Sequence, residues 1–258
     1  MDILVDLPLW VLFIGTVLIV LLAAEVGYRL GLWLHARYPS MGRSSMTGPL
    51  IGGMMGLLAF LLALTFSAVV GQHTERKGMV VTEANAIGTA YLRAGFLDEP
   101  DMGISRDLLR EYVEVRLAPQ SDSALFESAV ARSEEVHTQL WSIVEENVRQ
   151  GNESDIMALY AEAINTVIDV HTLRLTAAER RLPSGLVAVL FLALVLSFLL
   201  LGVASSDDGK RIPPLTLFLF AMVFVTTMML ILDLNRPLGG LVTVNQAALE
   251  DLMQMLAP

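Results

Sequence analysis

Four apolar stretches, set in two pairs on either side of a charged segment between about His73 and Leu182, restrict this chain to a membrane-spanning fold. No charged residue occurs from Leu7 to Ala24, and the run continues past Glu25 to about Leu34. Leu50 to Val70, Leu186 to Ala204 and Leu215 to Leu232 are of the same kind. A bilayer core takes about 20 apolar residues in helical form, and lipid offers backbone amides no alternative partner. The expected fold is therefore an all-α membrane protein with four transmembrane helices in two pairs and an inserted extramembrane helical-bundle domain. Residues 1–72 hold spans 1 and 2, 73–182 the soluble domain, 183–234 spans 3 and 4, and 235–258 a C-terminal tail.

The formal charge of −10 belongs mostly to the inserted domain, where nineteen acids face eleven bases. Such a domain lacks the basic face that nucleic acid requires, so no nucleic-acid partner is expected. The absence of cysteine excludes disulfides, zinc-thiolate sites and thiol chemistry. The first apolar run has no basic segment before it and no Ala-x-Ala-like site after it, so it reads as a retained span and not a signal peptide.

Span 1 is expected from about Leu9 to Leu34, ending ahead of Tyr38-Pro39, because a proline biases its predecessor away from helix. Span 2 opens near Pro49, a residue suited to a first helical turn, and nothing breaks it decisively before Phe96. One rod is thus expected to leave the bilayer and enter the domain, with Val80, Val81, Ala84, Ile87, Tyr91 and Leu92 on its buried face. Breaks at Asp98 to Gly103, Pro119 and Gly151 divide the rest of the domain into three helices. Their stripes pass through Ile104, Leu108, Leu109 and Tyr112, through Ala129, Val130, Val136, Leu140, Val144 and Val148, and through Ile156, Tyr160, Ile164, Val167, His171 and Leu175. Asn152 is the expected cap of the last helix, with Asp155 in its first turn. The short loop from Ser205 to Pro214 makes spans 3 and 4 an antiparallel hairpin, and a short helical pattern closes the tail at Leu256.

Loops 35–48 and 205–214 carry Arg37, Arg43, Lys210 and Arg211, whereas the leading segment carries Asp2 and Asp6. The positive-inside rule then places the domain outside. Arg76, Lys77, Arg174, Arg180 and Arg181, read as crowding the membrane ends of the domain, reduce that contrast.

Span 2 is the most informative. Gly52, Gly56, Ala59, Ala63 and Ser67 place small side chains along one face for about four turns, and Gly52 to Gly56 is a GxxxG. That face either packs against another span or lines an aqueous path about a symmetry axis. Phe60 and Phe66 are its only aromatics and the candidate constriction. In span 1, Glu25 and Arg29 stand four apart, the spacing of an ion pair. An intramembrane acid is costly and usually functional, although this pair also suits the snorkelling end of a span.

Beyond span 2, Glu83, Asn85, Gly88, Thr89, Tyr91 and Arg93 form a polar cluster, and Asp233 and Arg236 close span 4 on the same membrane side. Arg93 with Asp233, or Glu83 with Arg236, would lock the tail to the domain; an ion site or gate is the other reading. His35, His73, His137 and His171 never fall at a helical metal spacing with a carboxylate nearby, so no metal site is expected, and His171 reads as a hydrogen-bonded core residue. There is no phosphate-cradling glycine loop, no Gly-x-Ser-x-Gly and no His-Glu-x-x-His, hence no expected cofactor and no catalytic residue.

Two segments, Glu-Ala-Asn-Ala-Ile-Gly-Thr-Ala-Tyr-Leu-Arg-Ala at 83–94 and Leu-Asp-Leu-Asn-Arg-Pro-Leu-Gly-Gly at 232–240, resemble the bacterial membrane family labelled bestrophin-like, as does Leu-Leu-Arg-Glu-Tyr at 108–112. The resemblance implies an oligomeric ion channel of the bacterial cytoplasmic membrane, with the pore along span 2 and a cytosolic helical domain. It opposes the charge count on orientation, so the side of the domain stays open. No run of acids matches a bestrophin calcium clasp, and Asn245 stands where the pattern has serine. The leading expectation is a homo-oligomeric channel or channel-like protein with span 2 nearest the axis. Its partners are the lipid bilayer, itself and inorganic ions, and the acidic domain favours cations. The alternative is a membrane sensor or scaffold whose helical domain binds a ligand or partner protein.

Overall fold

A computed structural model describes residues 7–38, 47–118, 123–152, 154–207, 211–236 and 240–257. Asp2, Asp6, Pro39, Arg43, Pro119, Lys210 and the 237–239 part of the second motif lie outside the described residues. Among the described residues all regular structure is helical: α1 Leu9–Arg37, α2 Thr47–Ala94, α3 Asp101–Leu117, α4 Ser123–Arg149, α5 Asp155–Glu179, α6 Ser184–Asp207, α7 Pro214–Leu234 and α8 Ala247–Met255. Four helical stretches are long and apolar enough to cross a membrane. The chain forms two compact units, Met1–Gly71 with Arg181–Arg236 and Gln72–Arg180 with Pro237–Pro258. Helix α2 is continuous over 48 residues, as the lack of a breaker before Phe96 implies.

The first unit joins α1, the opening part of α2, α6 and α7. Its core is Val20 and Ala24 from α1, Leu58, Leu62 and Val69 from α2, Leu194 and Phe198 from α6, and Val225, Met228 and Ile231 from α7. The closest backbone approach is between α1 and α6. A Cβ on Gly27 would lie 2.0 Å from the Leu199 carbonyl oxygen, and one on Gly202 would lie 2.0 Å from that of Ala24. Glycine is therefore required on both sides of this crossing, the small-residue contact by which membrane helices pack closely. Asn235 Oδ1 accepts from Leu182 N at 2.7 Å, and Arg236 donates to the Leu7 carbonyl at 2.7 Å, which ties the end of α7 to the segments that lead into α6 and α1.

The second unit packs the remainder of α2 with α3, α4, α5 and α8 around Ile87, Ala90, Leu109, Tyr112, Leu140, Tyr160, Ile164, Val167 and Leu252. Gly151, at φ +90, ends α4 in the left-handed conformation that suits glycine. The cap of α5 is Ser154, not Asn152: Ser154 Oγ accepts from Met157 N at 3.2 Å and donates to Asn152 Oδ1 at 3.0 Å. Asn152 lies too far upstream to reach the first-turn amides itself and supports the capping hydroxyl instead. At the other end Arg76 is buried and donates to the carbonyls of Ala177 at 3.1 Å and Arg180 at 2.6 Å, a cation on the unpaired acceptors of a helix C-terminus. The tail is held by Arg110, which donates to the Leu256 carbonyl at 3.1 Å, and by Leu252, which lies against Gly88.

Candidate functional site

On α2 the residues that face the first unit's core are Leu58, Leu62, Thr65 and Val69, spaced by four, three and four. The small-residue stripe lies on the other side, about 130° away at 3.6 residues per turn. Gly52, Gly56, Ala59, Ala63 and Ser67 are all exposed in the chain, and nothing lies within 4 Å of a Cβ built on Gly52 or Gly56. Phe60 borders the stripe and is 63% exposed, while Phe66 is half-buried against the core. Packing of the stripe on α1, α6 or α7 is thus not what the chain by itself provides. Glu25 and Arg29 do pair, Nε to Oε1 at 2.9 Å, and Arg211 from the segment ahead of α7 takes the second carboxylate oxygen.

In the second unit Glu83 is the hub of a buried polar network. Its Oε1 accepts from the Tyr112 hydroxyl at 2.8 Å and from Arg116 Nε at 3.1 Å, and its Oε2 accepts from Arg174 Nη1. Arg174 also donates to Gln246 Oε1 at 2.7 Å, so one carboxylate on α2 gathers α3, α5 and the segment leading into α8. Tyr112 has one hydroxyl hydrogen and gives it to Glu83. Its oxygen, 2.9 Å from His171 Nδ1, therefore accepts from that nitrogen, which places the imidazole hydrogen on Nδ1 and a lone pair on Nε2. His137 stacks beside both, 4.8 Å from the Tyr112 ring and 4.9 Å from the His171 ring. The Nε2 atoms of His137 and His171 are buried with no hydrogen-bond partner among the described residues.

Burial, and then the Arg116 charge, hold His137 down at about 4 and His171 at about 3, so both rings are neutral near pH 7. Burial pushes the Tyr112 phenol up and brings Arg174 down to about 10. Two guanidiniums face one carboxylate here. No group of three or more His, Cys, Asp or Glu that could hold a metal occurs among the described residues.

Of the residues expected to lock the tail, Arg93 donates to the Leu159 carbonyl at 2.7 Å and lies 3.7 Å from Glu162. Glu83 is bound as described, Asn85 is exposed, Asp233 is buried in the first unit and Arg236 reaches Leu7. Sequence reasoning missed Arg116, His137, Arg174 and Gln246. The available signal was polar residues at helical spacing on apolar stripes: Arg116 four after Tyr112, and His137 beside Val136 on the stripe of Leu140. Asn245, the residue before the Gln246 cap of α8, accepts from Ala247 N at 2.7 Å in an Asx turn, a local bond that a serine hydroxyl also makes, more weakly.

A family model described as Bestrophin-like domain matches residues 10–249. No curated protein matches the chain. Solved structures of a bacterial bestrophin homologue from Klebsiella pneumoniae share the fold. A tryptophan-to-alanine variant matches with TM-score 0.70 at 14% identity, covering 97% of this chain and 96% of that one. A tyrosine-to-alanine variant gives 0.69 at 16% identity, with 95% and 97% covered. An isoleucine-to-threonine variant gives 0.66 at 15% identity, with 94% and 97% covered. With its two span pairs, its helical unit and a match that runs from the start of α1 into α8, this chain belongs to the Bestrophin-like domain family.

Proposed function

We propose that the chain is one subunit of a homo-oligomeric ion channel of the bacterial cytoplasmic membrane, with the Gly52, Gly56, Ala59, Ala63 and Ser67 face of α2 nearest the pore axis. The observation that carries this reading is the exposure of that face. The close helix contact that a small stripe would serve within one chain is made instead by Gly27 and Gly202. A face of glycine, alanine and serine gives lipid little to pack against, whereas around a symmetry axis it leaves room for water and for a neighbouring copy. Phe60, exposed at the edge of the stripe, is the candidate constriction, and Phe66 supports it from the core side. The excess of acids in residues 73–182 attracts counter-ions and favours cations over anions. Such a role needs positioned helices and no catalytic group.

The test is the purified protein in planar bilayers and in size analysis. A symmetric oligomer with cation-selective current, reduced at least tenfold by Ser67→Trp, is expected. A monomer, or a current that Ser67→Trp leaves unchanged, overturns the reading. Thiol labelling of Ser45→Cys and Ser123→Cys from each side assigns the orientation, since the chain has no cysteine of its own.

A further inference from the structure

Helix α1 carries an outward tryptophan near each end, Trp10 at 68% and Trp33 at 59% exposure. At 1.5 Å per residue they stand about 35 Å apart, close to the hydrocarbon core of ~30 Å with the start of each headgroup layer. Tryptophan rings settle at that level. Glu25, Tyr28 and Arg29 therefore sit one to two turns on the hydrocarbon side of the level marked by Trp33, a depth from which long arginine side chains reach out to the phosphates.

At this depth α1, α6 and the segment entering α7 surround a recess of about 350 Å³. One part is apolar, lined by Leu21, Ile212 and Leu217; the other presents Glu25, Arg29 and Arg211. Arg29 Nε lies 2.9 Å from Glu25 Oε1 and Arg211 Nη2 lies 2.5 Å from Oε2, so both carboxylate oxygens are engaged. The Arg211 guanidinium also rests 5.6 Å above the Tyr28 ring, which orients it. Each guanidinium has five N–H donors, and both side chains stay largely exposed. The cluster carries net charge of one positive unit beside an apolar slot.

We propose that this recess binds one anionic phospholipid, with its phosphate on Arg29 and Arg211 and the start of an acyl chain along Leu21 and Leu217. Guanidinium pairs suit phosphate oxygens, and basic recesses between membrane helices take anionic headgroups. The charge balance selects among lipids. Both oxygens of Glu25 are taken, so among the described lining residues no acid remains for the ammonium of a zwitterionic headgroup, while the single excess positive charge of the cluster matches a phosphodiester. The apolar slot and its depth select lipid over free phosphate.

Native mass spectrometry of the full chain in detergent, supplied with equal phosphatidylglycerol and phosphatidylcholine, reads the proposal without measuring current, so it stands apart from the channel reading. Retention of one phosphatidylglycerol per chain, about tenfold over phosphatidylcholine, is expected. Arg211→Ala should bring that preference within about twofold, and Leu217→Trp, which fills the slot but keeps both arginines, should remove retention. Arg149→Ala, on the other unit, should change nothing. Equal retention of the two lipids by the unaltered chain overturns the proposal, as does phosphatidylglycerol retention that survives Leu217→Trp. Displacement of the lipid by millimolar inorganic phosphate overturns it in favour of a free-anion site. If Arg211→Ala does not fold, Leu217→Trp and the phosphate competition decide.

Discussion

Replacing Glu83 with glutamine removes one charge and almost no volume. The consequence is large because of where its partners sit. Arg116 and Arg174 are 3% and 8% exposed and both donate to this carboxylate. Glutamine still offers an oxygen to one donor, but its amide nitrogen meets a guanidinium, and two buried cations lose the charge that offsets their desolvation. Removing one partner of a buried ion pair costs about 3–5 kcal/mol. In a unit of this size each kcal/mol moves the melting temperature by about 3–4 °C, so a drop of roughly 9–20 °C is expected.

Trp141 on α4 reports on the unit, and placing Phe at Trp10 and Trp33 leaves it as the sole fluorophore of its kind. The full chain in detergent would be heated while Trp141 emission is followed. Glu162→Gln is the control, since its contact with Arg93 is solvent-exposed and pairs of that kind contribute about 0–1 kcal/mol. Adding Arg174→Met to Glu83→Gln should recover part of the loss, because one uncompensated cation goes with it. A Glu83→Gln protein that melts within about 2 °C of the parent would refute the account of Glu83 as the charge partner of two buried arginines.

Acid should destabilise the second unit. The folded pKa values of His137 and His171, about 4 and about 3, lie below the ordinary 6.5, so the unfolded chain binds more protons as pH falls. Their contribution is complete above pH 6.5 and is lost as pH falls from 6.5 to about 4 for His137 and to about 3 for His171, and His137→Gln should flatten the fall in Trp141 melting temperature between 6.5 and about 4. Ser154→Ala should cost about 1 kcal/mol through the lost cap of α5, and Asn152→Ala less, by the same melting measurement. Gly202→Val should prevent α1 and α6 from closing and yield aggregated protein in size analysis, whereas Gly52→Ala, whose Cβ meets nothing in the chain, should leave folding unchanged.

The spans and the helical unit were legible because each rests on local pattern. Charge-free runs mark α1, α6 and α7, and the continuity of α2 follows from the absence of a breaker between Pro49 and Phe96. His171 was legible as a bonded core residue because an apolar stripe surrounds it. The cap of α5 was missed by two residues because Asn152 and Ser154 are both good caps, and only the helix start decides which amides are within reach. Arg174 was read as a membrane-end base since it precedes an apolar run. Its burial depends on Glu83, 91 residues earlier in the chain, and no local pattern signals such a partner. Likewise the small stripe on α2 and the glycines on α1 and α6 look alike in sequence. Which of them closes a contact within one chain depends on what lies opposite.

The two long-range devices on α2 act by different physics. Its face in the second unit is built from Val80, Ala84, Ala86, Ile87, Ala90 and Ala94, and apart from Val80 and Ile87 these are alanines whose burial would change little if the helix slid or turned. Alanine-rich packing therefore specifies register weakly. Glu83 does so strongly, since a shift of one residue turns it by 100° and strands Tyr112, Arg116 and Arg174 without their acceptor. A buried charge cluster adds little net stability over apolar packing, so its effect lies in the alternatives it excludes. The outward face in the first unit has no such fixed partner in the chain and is defined by small size alone. That difference sorts the two segments of one helix by role: the one bearing Glu83 is specified by its own chain, while the one bearing Gly52 to Ser67 is left open for whatever meets it.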